Sequence, residues 1–178
     1  MKSSYKENKL DIVFKTLCGI IKPTKIVEFG ILDGYSLKTF IENTGTDCII
    51  EAYDIFDDFP YNAANYNHIL KEYGSDRVNI IKSDFYKSVE MFDDNSVDIM
   101  HIDIANDADV IKFAIENYMS KITNNGVMVF EGGSLERDEV YWMNEFNKKK
   151  INPYLQGLMN DYNITIINDY PSITIMKK

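Results

Sequence analysis

The run Lys25-Ile26-Val27-Glu28-Phe29-Gly30-Ile31-Leu32-Asp33-Gly34-Tyr35-Ser36 constrains this chain more than any other. An apolar strand ends in an acid and a glycine. A short loop, a second glycine and a hydroxyl follow, and then a helical pattern through Leu37, Phe40 and Ile41. The next apolar run, Ile49 to Tyr53, leads straight into Asp54. Strand, glycine loop, helix, strand, acid is the layout of a nucleotide-type cofactor site. The first glycine lets a ligand approach the backbone. The acid about 20 residues on, at the tip of the second strand, suits ribose hydroxyls.

The loop also discriminates between cofactors. A dinucleotide site uses G-x-G-x-x-G, so that bare amides surround a pyrophosphate. Here Gly30 and Gly34 are spaced as G-x-x-x-G, and Glu28 sits where the strand opens into the loop. A carboxylate there repels a diphosphate and suits a ligand with an adenosine end and a cationic end. S-adenosylmethionine has both and carries no phosphate. The alternative is that Glu28 is a solvated strand end and the glycines only make a turn.

The remaining chain repeats the alternation. Leu10, Val13, Phe14, Leu17, Ile20 and Ile21 mark an amphipathic helix that stops before Pro23, so residues 1–22 are expected to form a helical cover. Further strands are expected at Val78–Lys82, Val97–Ile102 and Val127–Phe130, the last entered through a turn at Asn124-Asn125-Gly126. Helical faces lie at Ile69–Tyr73, at Ile111–Ile122 and at about Arg137–Asn147, with a weak helix over Phe85–Phe92. Two last strands, Asn163–Asn168 and Ser172–Met176, are joined only by Asp169-Tyr170-Pro171, which requires an antiparallel pair. Strands alternating with helices predict a parallel sheet covered on both faces. With 178 residues and no linker or repeat, one α/β domain over residues 1–178 is the expectation.

Charge and composition exclude other classes. A net charge of −9 disfavours nucleic-acid backbones and anionic membranes as partners. Met1 to Leu17 is broken by Lys, Glu and Asp, and no run of 18 apolar residues occurs, so the expected compartment is the cytoplasm. Cys18 and Cys48 fall in apolar patterns and read as buried, reduced thiols.

The chain resembles class I S-adenosylmethionine-dependent methyltransferases, and within them the small-molecule O-methyltransferases related to macrocin O-methyltransferase. The resemblance rests on the Val27–Leu37 loop, on Ala52-Tyr53-Asp54-Ile55-Phe56-Asp57-Asp58-Phe59-Pro60, and on Val97–Asp103 with Asn125–Glu131. It implies a Rossmann-like, seven-stranded, mostly parallel sheet with a C-terminal antiparallel β-hairpin. By the same resemblance, Glu28, Gly30, Gly34 and Ser36 frame the methionine part of the cofactor. Asp54 holds the ribose, with Ile55 beside the adenine. Asp84 and Phe85 meet the adenine edge and face, and Asp103 lies near the sulfonium and the acceptor.

Structural readings stand beside these. Ser36 and Asp84 suit helix caps, and Phe85 suits the core. Asp103 and then Glu131 are the candidate general bases. Together they could supply two oxygens to Mg²⁺, but a third ligand is missing, and Asp107 and Asp109 suit a helix start instead. His101, inside an apolar strand, reads as a hydrogen-bonded structural histidine, and His68 as exposed.

The function implied is methyl transfer to an oxygen, less favourably a nitrogen, of a small molecule such as a sugar or sugar-derived metabolite. A cofactor-binding accessory protein, or an enzyme that degrades the cofactor, stays open. A nicotinamide-dependent reductase is disfavoured by the missing third glycine. Tyr141, Trp142 and Tyr154 suit an acceptor pocket, a homodimer face or core packing equally.

Overall fold

Period-two alternation in adjacent strands sends every second side chain to one face of the sheet. The computed structural model describes residue 5 and residues 8–58 and 64–178. Its strands are β1 (Lys25–Phe29), β2 (Ile49–Asp54), β3 (Val78–Lys82), β4 (Val97–Ile102), β5 (Ile122–Glu131), β6 (Asn163–Ile167) and β7 (Ile173–Lys177). They form one sheet in the order β3-β2-β1-β4-β5-β7-β6. The first five are parallel, and β7 is antiparallel to both β5 and β6. The expected seven-stranded α/β sheet with its terminal antiparallel pair is therefore present.

Helices cover both faces. On one lie α1 (Asp11–Ile21), α2 (Tyr35–Glu42) and α3 (Tyr66–Tyr73). Phe14, Leu37, Phe40 and Ile69 from these helices pack on Ile26, Ile50, Ile80 and Ile99. On the other, α4 (Ala108–Tyr118) and α7 (Ile151–Gln156) bring Ile111, Ile115, Tyr118, Ile151 and Leu155 onto Val27, Phe29, Met100 and Phe130. Two short helices, α5 (Leu135–Asp138) and α6 (Tyr141–Glu145), follow β5.

Several expectations change. β5 runs through Asn124-Asn125-Gly126, absorbing the anticipated turn as an irregularity in its pairing with β4 between Val97 and Ile99. The single helix expected at Arg137–Asn147 is split into α5 and α6. Asp138, at the end of α5, turns its carboxylate to the amides of Ile151 and Asn152, at 3.0 and 2.7 Å, and so caps α7. α7 itself was not expected. Pro153 is tolerated there because it lies in the first turn, where its missing N–H is not needed. Phe85–Phe92 forms two 3₁₀ turns rather than a helix. Phe59 and Pro60, which close the second motif, lie outside the described residues, as do residues 1–4, 6 and 7 of the N-terminal cover.

Candidate active site

The strand order reverses between β1 and β4, and open α/β sheets bind ligands at the carboxyl ends of the strands at such a point. Parallel register sets Glu28 of β1 beside His101 of β4, on the same face as Ile26 and Ile99. Both are fully buried, and His101 Nδ1 meets Glu28 Oε1 at 2.9 Å. His101 Nε2 lies 3.2 Å from the hydroxyl of Tyr5, which comes from the N-terminal segment and also hydrogen-bonds the Asp103 carboxyl. Burial alone would lower the His101 pKa, but the Glu28 hydrogen bond and charge, with Asp103 and Glu131, leave it raised. A protonated imidazole donates from both nitrogens. Donation then diverges from His101, one N–H going to Glu28 and the other to the Tyr5 oxygen, whose own hydroxyl proton is left for Asp103.

Asp103 follows β4 directly and is only partly exposed. Burial pushes its carboxyl up to about 7; His101 opposes this, while the Glu131 and Glu28 charges add to it. Such a group exchanges protons near neutrality, as a general base requires. Glu131, the last residue of β5, is held by Arg137 Nε at 3.2 Å.

The glycine loop is tied into this frame by backbone contacts. Gly30 has φ +89°, and a Cβ there would lie 2.3 Å from the carbonyl oxygen of Asp103. Gly34 has φ +76°, and its Cβ would lie 2.5 Å from the ring of Tyr73. The close approaches are thus made by the chain itself, the β1 loop against the β4 exit and α2 against α3. Asp54 Oδ2 accepts from Ile31 N–H at 2.9 Å, and Oδ1 from Phe56 N–H at 2.7 Å. The carboxylate therefore joins the glycine loop to the exit of β2, and Ile55 follows it, half-buried. Ser36 is buried in the first turn of α2; the cap is Gly34, with no side-chain bond, so Ser36 is not a capping residue.

Two residues expected at the adenine have partners within the fold. The Phe85 ring is buried in the core, 5.1 Å from Phe29 and 5.3 Å from Phe113, because the 3₁₀ turn after β3 points it inward. Asp84 caps that turn through Tyr86 N–H at 3.0 Å. Asp107 likewise caps α4, and Asp109 pairs with Lys149. His68 is exposed beside Glu72.

The donor set does not fit Mg²⁺. Among the described residues no three His, Cys, Asp or Glu side chains converge on one point, and a guanidinium sits on Glu131. For a cationic ligand the set offers one unpartnered oxygen. Glu28 and Glu131 both act electrostatically on Asp103 near the switch point, Glu28 paired with His101 and Glu131 with Arg137, and Glu28 Oε2 is buried without a hydrogen-bond partner.

Three participants escaped the sequence reading. Tyr5 lacks any motif. Asn106 is one polar residue of a loop. Arg137 is only 2% exposed, its guanidinium carbon 4.1 Å from the centre of the Trp142 ring and 5.8 Å from that of Tyr170. The Glu28–His101 pair was recoverable, since alternation and parallel register place both on one face. Tyr141, by contrast, is 77% exposed, while Tyr154 packs against the core.

With this geometry in hand, the family model of a methyltransferase domain, Methyltransf_24, matches residues 27–131, more than half of the chain. The chain belongs to that family. Its fold is shared with the SAH-bound methyltransferase PaMTH1 of Podospora anserina, at TM-score 0.66 and 18% identity over 99% of this chain and 79% of that one. The O-methyltransferase TomG of Streptomyces achromogenes, involved in tomaymycin synthesis and solved in complex with SAM, gives TM-score 0.68 and 14% identity over 95% and 79%. A methyltransferase of Geobacter sulfurreducens gives TM-score 0.64 and 16% identity over 94% and 77%. A comparison with curated proteins finds no match. Among the described residues no helix is long and apolar enough to cross a membrane.

Proposed function

We propose that this methyltransferase-domain protein transfers the methyl group of S-adenosylmethionine to an oxygen of a small molecule. A hydroxyl of a sugar-derived metabolite is the acceptor to try first. The observation that carries the reading is the gathering of Glu28, Asp103 and Glu131 around His101 and Tyr5 at the carboxyl ends of β1, β4 and β5. When bound, the cofactor supplies a methyl group already activated on a sulfonium, so the hard chemistry is its own.

The chain's part is to bind, orient and move one proton. Asp54 holds the ribose, with Ile55 at the adenine. The Gly30–Gly34 loop and Ser36 frame the methionine end, where the acids favour its positive charge. Asp103 accepts the acceptor hydroxyl's proton as the oxygen becomes a nucleophile, and Tyr5 fixes the orientation of that carboxyl. His101 and Glu28 keep the Tyr5 bond pointed at Asp103. Holding acceptor and base in line is the larger contribution, because it replaces a bimolecular encounter.

Calorimetric titration tests this directly. S-adenosylmethionine should bind and NAD should not; the reverse result would replace the reading with a nicotinamide-dependent one. Cofactor binding without transfer to any of a broad set of hydroxylated acceptors would favour an accessory or cofactor-degrading role.

A further inference from the structure

Arg137 is a cation that the methyl-transfer reading leaves without a task. Its Nε is given to Glu131 Oε1. With the Asn106 amide turned so that its nitrogen donates to the Glu131 carbonyl at 2.7 Å, the Asn106 oxygen accepts from Nη2. Nη1 is buried and has no partner. A buried donor left unsatisfied carries its full desolvation cost, more so when charged, and such groups are rare in folded proteins. Arg137 is built to hold that position. Its backbone N–H goes to the Ser134 hydroxyl at 3.0 Å, and Trp142 lies against the guanidinium plane.

The location is specific. Asn106 lies in the loop after β4 and Glu131 ends β5, so the guanidinium stands at the carboxyl ends of these strands, beside the Glu131 carboxylate whose charge Asp103 feels. Tyr170, in the turn between β6 and β7, is 57% exposed, with its ring centre 5.8 Å from the guanidinium carbon.

Resting on the methyl-transfer reading, we propose that Arg137 is the acceptor-recognition residue and that the acceptor carries a carboxylate, bound by Nη1 beneath the Tyr170 ring. A carboxylate matches the planar donor edge of a guanidinium, which a hydroxyl or an ester does not. The aromatic rings of Trp142 and Tyr170 hold the guanidinium in plane and exclude water from the new bond. Glu131 and Asn106 occupy the opposite edge and fix the register.

The test compares acids with their methyl esters. Wild-type protein saturated with S-adenosylhomocysteine is titrated calorimetrically with 4-hydroxybenzoate and glucuronate, with the methyl ester of each, and with 4-hydroxyphenyl phosphate. Each acid should bind at least about tenfold more tightly than its ester, the worth of one charge-assisted hydrogen bond. Arg137→Gln should make acid and ester equal while binding S-adenosylmethionine as the wild type does. Should that variant fail to fold, Arg137→Lys keeps the charge without the planar edge and should shrink the preference severalfold. Equal binding of acid and ester by the wild type, no binding of either, or a preference that survives Arg137→Gln overturns the proposal. Tighter binding of the phosphate ester overturns the carboxylate assignment. If S-adenosylmethionine itself does not bind the wild type, the methyl-transfer reading fails separately, and the acid–ester comparison on the ligand-free protein still judges Arg137.

Discussion

The two sides of the switch point are built from different materials. On the proposed cofactor side, Gly30 touches the Asp103 carbonyl, and Asp54 holds the amides of Ile31 and Phe56. Most fixed points there are backbone, or a short side chain bonded to backbone; the exceptions are the Tyr73 ring against Gly34 and the His101 bond to Glu28. On the proposed acceptor side, the fixed points are side chains meeting side chains: Tyr5 on His101 and Asp103, Arg137 on Glu131 and Trp142. Backbone geometry demands particular residue types, a glycine at positive φ or an acid at a strand tip. Side-chain constellations need only complementary charges brought together by the fold. Substitutions should therefore affect the loop side through stability and binding, and the acceptor side through rate.

The largest expected effect lies on the acceptor side. Asp103→Asn keeps the shape and part of the hydrogen bonding but cannot take a proton, so methyl transfer should fall by about 10²–10⁴. Cofactor affinity should change far less. Normal turnover would make Asp103 a strand-end acid and move the base to Glu131.

The same variant has a thermodynamic signature. An aspartate ionises near 3.9 in an unfolded chain, whereas burial pushes Asp103 up to about 7 in the fold. Between those values the folded protein binds more protons than the unfolded one, so this group makes stability fall as pH rises from about 4 through 7. Removing the charge should flatten that slope by about 1–2 kcal/mol, less than full conversion of the shift, because solvent reaches the carboxyl. His101, raised by Glu28, adds a fall of the same sign at higher pH, and the variant should retain it. Denaturant melts of both proteins at pH 4, 6 and 8 measure the difference; parallel curves would show that Asp103 is not perturbed.

Gly30→Ala addresses the loop side. A Cβ 2.3 Å from a carbonyl oxygen, at φ +89°, cannot be relieved by rotating a side chain. The expected cost is about 2–5 kcal/mol, with the β1 loop drawn away from β4 and cofactor affinity lost with it. A variant of wild-type stability that binds normally would mean that the loop relaxes freely. Asp54→Ala should come next, weakening S-adenosylmethionine at least about tenfold and lowering stability by about 1–3 kcal/mol, since two buried amides lose their acceptor.

These contrasts also decide what the sequence could disclose. Alternating apolar runs and the short Asp169–Pro171 connection implied all seven strands and the antiparallel pair, because strand period and connection length are local properties. The turn at the loop glycines and the strand-end place of Asp54 were legible for the same reason, and Gly30 makes room for Asp103 in this structure. Arg137 was illegible. Its burial depends on Asp138 capping α7 and on Ser134 starting α5, a tertiary arrangement with no periodic signature. Which of the two readings of Phe85 the packing favours was illegible too, because the direction of the turn after β3, which points the ring into the core, leaves no local pattern.

The smallest expected effect sharpens that last distinction. Asp84 follows β3, where the family resemblance implies an adenine edge, but its carboxylate caps the turn over Phe85–Lys87 and lies 3.5 Å from the Lys87 ammonium. The lysine is exposed, so the ion pair contributes little. The bond to Tyr86 N–H is a local one at a partly exposed turn, worth about 0.5–1.5 kcal/mol. Asp84→Ala should therefore lower stability by about 1 kcal/mol and leave the S-adenosylmethionine Kd within about twofold of wild type. Asp84→Asn, which can still accept the amide, should recover most of the stability. A tenfold loss of affinity in either variant would return this carboxylate to the adenine edge, and the loop side would then rely on a side chain as the acceptor side does.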